Sequence, residues 1–189
     1  MRVAIFASGN GTNFEALADD KRLLESGLEI VVLVCDKPKA KVIKKAQDRN
    51  IPVFVNKLSD YENRSQYEQA IVEKLAPLKI DYILLAGYMR VVTPTLLSQY
   101  PGKIINIHPS CLPKYSGLEA IERAFEAGEN QTGVTIHYID EGVDTGPVIR
   151  QAVVPILDTD TVDTLEARVH EKEHEIYPEV VLDLLKKFN

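Results

Sequence analysis

Cysteine is scarce in this 189-residue sequence, with only Cys35 and Cys111 present. The two stand apart and match neither a zinc-ligand spacing nor a Cys-x-x-Cys redox pair. A surplus of positive charge is also missing. The 22 Lys and Arg are outnumbered by 28 Asp and Glu, a formal charge of −6, which argues against a general nucleic-acid binder. An anionic small molecule stays allowed, because the field at a site can differ from the global sum. No uninterrupted apolar run approaches the roughly 18–20 residues of a membrane span. The N-terminal apolar stretch Val3–Phe6 is too short for a secretory signal and runs directly into Ser8-Gly9-Asn10-Gly11. There is no repeat, low-complexity tract or linker. What is present is an ordinary globular composition, 45% hydrophobic and 26% charged, enough for one core without staples. The expectation is one domain over residues 1–189 in a reducing compartment, the cytoplasm, with no nucleic-acid or membrane partner.

Short β-rich runs alternate with helical stretches. Val3–Phe6, Ile30–Val34, Pro52–Val55 and Ile83–Ala86 are continuously apolar, and Ile104–Ile107 is apolar but for Asn106, as strands covered on both faces of a parallel sheet are. Between them, Phe14–Leu24 reads as one amphipathic helix and Asp36–Asn50 as a basic one. Tyr67, Ala70, Ile71, Lys74, Leu75 and Leu78 follow helical spacing. The alternation predicts a single-domain α/β fold, a doubly wound, mostly parallel twisted sheet. Val134–Ile139 and Val148–Val154 have no helix between them, so they are expected to close the sheet as an antiparallel pair. A long helix over roughly Thr161–Lys187 ends the chain.

Three segments carry chemistry. Ser8-Gly9-Asn10-Gly11-Thr12-Asn13 follows the first strand. Its glycines permit a tight turn and close backbone approach, and Thr12 and Asn13 open a helix whose free N–H groups suit an anion. It lacks the third glycine of a dinucleotide fingerprint and the Gly-Lys-Ser/Thr end of a P-loop. Asn106-Ile107-His108-Pro109-Ser110-Cys111-Leu112-Pro113 begins where another strand ends. Asn106 and His108 share one side of an extended chain. They offer an amide donor for a developing oxyanion and an imidazole suited to proton transfer. Asp140-Glu141-Gly142-Val143-Asp144-Thr145-Gly146-Pro147 is turn chemistry, or else supplies a carboxylate to His108.

Other features weigh less or point elsewhere. His170-Glu171-Lys172-Glu173-His174 matches His-Glu-x-x-His, yet only fifteen residues follow and none is His or Cys, so a zinc site lacks its third ligand. On a helical wheel Val162, Leu165, Val169, Ile176, Val180 and Leu184 form the buried stripe, and Glu173 falls on it. A buried carboxylate needs a partner, and a hydroxyl-rich ligand is one. His137, on the strand face of Thr135 and Ile139, reads as structural. Gly87-Tyr88-Met89-Arg90-Val91-Val92 reads equally as an apolar wall at the ligand edge or as the packed start of a helix.

Taken in order, Ser-Gly-Asn-Gly-Thr-Asn, Ala-Gly-Tyr-Met-Arg, Asn-Ile-His-Pro-Ser-x-Leu-Pro and Asp-x-Gly-x-Asp-x-Gly-Pro resemble the phosphoribosylglycinamide formyltransferase family from Val3 to about Tyr177-Pro178. The resemblance implies formyl transfer from 10-formyltetrahydrofolate to the amine of glycinamide ribonucleotide, with no metal. It implies that Asn106, His108 and Asp144 are catalytic. Gly11, Thr12 and Asn13 would hold the ribonucleotide phosphate and Glu173 its ribose. Arg64, Met89, Arg90, Val91, Val92, Asn106 and the loop Asp140, Glu141, Gly142, Val143 and Asp144 would hold the folate. Residues up to about 100 then form the ribonucleotide-phosphate half and those from about 101 the catalytic and folate half, in a monomer or homodimer.

The sequence departs from that pattern after Pro113. Ser116 stands where many members carry Pro, and Glu119 where they carry His; the Asn106, His108 and Asp144 positions are untouched. The rival readings are a formyltransferase acting on another amine, a formyltetrahydrofolate hydrolase and a non-catalytic folate- or nucleotide-binding protein. A transfer-RNA formyltransferase is expected to carry a basic C-terminal domain, and the hydrolase an extra N-terminal one.

Overall fold

A computed structural model describes residues 1–189. Seven strands form one sheet: β1 Arg2–Ala7, β2 Glu29–Cys35, β3 Val53–Val55, β4 Tyr82–Leu85, β5 Ile104–His108, β6 Gln131–Tyr138 and β7 Val148–Pro155. Their spatial order is β3-β2-β1-β4-β5-β6-β7. Pairings are parallel from β3 to β5, and antiparallel for β5–β6 and β6–β7. The doubly wound sheet and its antiparallel closure are as the patterning predicts, with the change of direction falling one strand earlier, at β5–β6.

Period-two alternation decides how the faces are covered. Along β1, Val3, Ile5 and Ala7 join one core layer with α1 (Thr12–Ala18), α2 (Lys21–Glu25) and α7 (Val162–Phe188). Ala4 and Phe6 join the other, beneath α4 (Arg64–Leu75) and α5 (Pro94–Leu97). Residues of both sets are fully buried, which is why the sequence runs are continuously apolar. On α7, Leu165, Val169, Ile176, Val180 and Leu184 are buried as the wheel predicts, while Val162 at the helix start is half-buried.

Two helical expectations are corrected. Phe14–Leu24 is not one helix: α1 stops at Ala18, and Asp20 starts α2 by accepting from the backbone N–H groups of Arg22 and Leu23. A capping carboxylate there ends one helix and begins another. The basic segment is helical only as α3, Lys41–Asp48. Pro38 disfavours the helical region for Lys37, so the chain after β2 turns before it coils. Between β5 and β6 lies α6, Ala120–Glu126.

The chain runs outward through β1, β2 and β3, then returns to lay β4 on the free side of β1. That reversal leaves a crevice beyond the carboxyl ends of β1 and β4, the place where open α/β sheets bind ligands.

Candidate active site

A cleft of about 640 Å³ opens at this crevice, a size suited to small-molecule substrates. It is lined by Gly9–Asn13 after β1, Leu85–Val92 at the end of β4 and beyond, Asn106–Pro109 at the end of β5, Gly117–Ala120, Gly142–Asp144, and His170 and Glu173 of α7. Ser8 ties the first two segments together: its N–H donates to Gly87 O at 3.0 Å, and its hydroxyl accepts from Met89 N at 2.8 Å.

Asn106, His108 and Asp144 meet in this cleft. The Nε2 of His108 lies 2.8 Å from the carbonyl oxygen of Tyr115. A carbonyl only accepts, so Nε2 carries a proton and Nδ1 is the nitrogen left for proton exchange. Nδ1 faces Asp144 Oδ2 at 3.4 Å, and that same oxygen accepts from Gly117 N at 2.8 Å. Asp144 holds φ 55°, a left-handed backbone uncommon outside glycine and Asn/Asp and typical of functional sites.

His137 stands behind this group and does not itself line the cleft. It is fully buried, and its Nδ1 donates to Tyr138 O at 3.0 Å. Burial lowers its pKa, so the ring is neutral and Nε2 presents a lone pair. Asn106 Nδ2 donates to it at 3.5 Å, and Asp144 Oδ1 stands 3.7 Å away. One amide hydrogen of Asn106 is thereby directed and the other stays free for a ligand. The missed signal was register: Asn106 and His137 are direct partners across β5–β6, which spacing along the chain does not reveal.

At the other end of the cleft, Gly11 is the N-cap of α1 with φ 78°. A Cβ there would lie 2.5 Å from Val42 Cγ2, so the turn requires glycine twice over. Thr12 and Asn13 follow, with first-turn N–H groups free of helical partners. Asn13 Nδ2 donates to Glu173 Oε2 at 3.3 Å, while its Oδ1 is buried without a partner. Glu173 is only 5% exposed, and desolvation pushes its pKa up to about 7. Tyr177, one turn on, sets the depth of this face by donating to Leu85 O at 2.9 Å. His170 Nε2 stands 3.7 Å from Glu173 Oε1.

Between the two ends, Met89, Val91 and Val143 expose apolar side chains along the cleft, and Val92 is buried beneath them. Residues 87–92 form a loop and not a helix, which decides for the wall. Arg90 lines the cleft while its Nε donates to buried Asp36 Oδ2 at 2.7 Å. Three residues expected at the folate are not among those lining the cleft. Arg64 opens α4 and does not line the cleft. Asp140 is occupied with its own turn, accepting from Gly142 N and Thr145 Oγ1, contacts that hold its carboxyl below the usual range. Glu141 is exposed and also outside the cleft.

This is a site for acyl chemistry: an amide donor, an oriented imidazole and a carboxylate sit between a glycine turn and an apolar wall. Comparison with known proteins agrees. Residues 1–181 match the family described as formyl transferase. The chain belongs to the formyl transferase family. Phosphoribosylglycinamide formyltransferase of Bacillus subtilis is 48% identical over 97% of this chain and 94% of its own length. The crystal structure of phosphoribosylglycinamide formyltransferase from Bacillus halodurans superposes with TM-score 0.96 at 46% identity, covering 100% of this chain and 97% of that one. Glycinamide ribonucleotide transformylase 1 from Geobacillus kaustophilus superposes with TM-score 0.92 at 51% identity, covering 97% and 98%.

Proposed function

We propose that this formyl transferase moves the formyl group of 10-formyltetrahydrofolate to the amine of glycinamide ribonucleotide, in the cytoplasm, as a step of purine biosynthesis. The observation that carries the reading is the convergence of Asn106, His108 and Asp144 midway along a cleft with chemically different ends. Gly11, Thr12 and Asn13 hold the ribonucleotide phosphate. Glu173 takes a ribose hydroxyl, and a second hydroxyl would satisfy the orphaned Asn13 Oδ1. Met89–Val92, Gly142 and Val143 cover the folate, with Arg90 as its polar contact. The phosphate turn Gly11–Asn13 thus lies before residue 100 and Asn106, His108 and Asp144 after it, while Met89–Val92 reach the folate from the first part and Glu173 the ribose from the second.

In the reaction the substrate amine attacks the formyl carbon, forming a new C–N bond and placing negative charge on the formyl oxygen. The free Asn106 amide hydrogen meets that charge, joined by His108 once Nδ1 has taken up the proton shed by the amine, and one such donor is worth roughly 2.7–4 kcal/mol. The bond from the formyl carbon to the folate nitrogen then breaks. The proton lost by the amine passes to that nitrogen, with His108 Nδ1 as the exchanging atom and Asp144 holding it in place. Donor consumption that requires glycinamide ribonucleotide, and yields one N-formylated product per tetrahydrofolate, supports this reading. Donor hydrolysis without the ribonucleotide contradicts it.

A further inference from the structure

One wall of the cleft is the loop from Pro109 to Glu119, and its two halves are held differently. The first half is tied to the sheet: Thr135 Oγ1 donates to Ser110 O at 2.6 Å and accepts from Leu112 N at 3.1 Å, and Gln151 Nε2 donates to Leu112 O at 3.0 Å. The second half, Tyr115–Leu118, makes no hydrogen bond to a strand other than the one to His108. Toward the cleft, Tyr115 O accepts from His108 and Gly117 N donates to Asp144, each at 2.8 Å. Away from the cleft, Arg123 of α6 donates from Nε to Leu118 O at 2.9 Å and from Nη2 to Ser116 O at 2.5 Å. Its guanidinium carbon lies 5.7 Å from the centre of the Tyr115 ring. The Tyr115 hydroxyl donates to Glu129 Oε1 at 2.9 Å.

This half needs holding. Tyr115, Gly117 and Glu119 have φ of 54°, 82° and 54°, a left-handed region that costs side-chain-bearing residues free energy unless neighbours enforce it. Ser116 lacks the ring that would fix its own φ. A planar guanidinium donating to two carbonyls is a rigid clasp, and α6 is anchored by buried Ala120, Ile121 and Ala124. Arg123 does not line the cleft.

We propose that Arg123 is a positioning residue: by clasping the Ser116 and Leu118 carbonyls it fixes Tyr115 O and Gly117 N, and through them the His108–Asp144 pair. The inference deepens the formyl-transfer reading and rests on it. The clasp acts on orientation, so it governs turnover more than binding.

The test compares Arg123→Ala and Arg123→Lys with wild type in two readouts. One is steady-state formyl transfer. The other is the imidazole N–H region of the 1H–15N NMR spectrum, with His108→Ala assigning the Nε2–H signal. In wild type the signal is expected to be slowed in exchange by Tyr115 O; in Arg123→Ala it broadens away. The same variant loses about 10- to 100-fold in kcat, while both KM values stay within about twofold. Lys reaches one carbonyl at a time, so Arg123→Lys falls between. A retained signal, an unchanged kcat, or a KM that rises as kcat falls overturns the proposal. If Arg123→Ala does not fold, Arg123→Lys is judged by the same outcomes. A wild type without transferase activity sinks the functional reading alone, since the NMR signal still reports whether Arg123 holds His108.

Discussion

Asn106 on β5 and His137 on β6 are register partners, and the amide nitrogen of the first lies 3.5 Å from the unprotonated ring nitrogen of the second. The buried imidazole is fixed from behind by the Tyr138 carbonyl, so it acts as a stop that decides which way the Asn106 amide points. The amide proposed to meet the formyl oxygen is therefore aimed by a residue that need not touch substrate.

His137→Phe tests this, because the ring volume stays and the acceptor goes. A freely flipping Asn106 amide presents its oxygen to the reacting carbonyl part of the time. The expected result is a loss of about 10-fold in kcat with KM little changed, read by steady-state kinetics at saturating donor. An unchanged kcat would show that the amide is oriented by other means.

Glu173 predicts a pH dependence of stability. Its carboxyl protonates near pH 7 when folded, against an ordinary value of 4.5. A raised folded pKa favours the protonated form, so its contribution is fully present below pH 4.5 and is lost as pH rises through about 7. The loss is on the order of 3 kcal/mol. Urea unfolding of Glu173→Gln against wild type checks it: the variant gains relative stability between pH 5 and pH 8. Parallel profiles for the two proteins would refute the assignment.

The Asp36–Arg90 pair makes a thermodynamic-cycle prediction. Asp36 is buried with its Oδ1 unpartnered, and Arg90 supplies the bond to Oδ2. Arg90→Met strands a buried carboxylate and costs about 3 kcal/mol. Asp36→Asn in that background recovers a large part of the loss. With Asp36→Asn alone closing the cycle, a double variant whose loss in denaturant unfolding equals the sum of the two single losses would show that the pair is not coupled.

Gly11→Ala combines two penalties, a left-handed φ and a collision with Val42. Together they cost at least about 2 kcal/mol and weaken ribonucleotide binding more than donor binding. Val42→Ala does not rescue Gly11→Ala, because the Val42 Cβ at 2.7 Å and Cα at 3.0 Å stay in the way and Val42 is itself buried, so the double variant is no more stable than Gly11→Ala. A double variant as stable as wild type in denaturant unfolding would contradict this.

The sheet was legible because both its faces are covered: β1, β2 and β4 are written as apolar runs that need no partner to be recognised. The glycine turn was legible because it follows directly on such a run, and Asn106 and His108 because they are the polar residues of an otherwise isoleucine strand. The α1–α2 break was also written in the chain, as Asp20 capping Lys21–Glu25, but helical periodicity spans it and conceals the stop. Three-dimensional meetings were not readable in the same way. His137 reaches Asn106 through antiparallel register, and Arg123 reaches the loop from a short helix whose side-chain directions no periodicity specifies. Asp140 and Asp144 share one acidic loop, yet only the backbone path sends the first into a turn and the second to His108.

On the proposed mechanism His108 and Asp144 act on the chemical step and not on binding. Single-turnover formyl transfer by wild type, His108→Ala and Asp144→Asn, with the affinity for each substrate measured separately on the same proteins, separates the two. Both variants are expected to bind glycinamide ribonucleotide and the folate normally and to lose at least about 100-fold in the rate of transfer. Transfer at the wild-type rate in either variant, or a loss explained wholly by weaker binding, would contradict it.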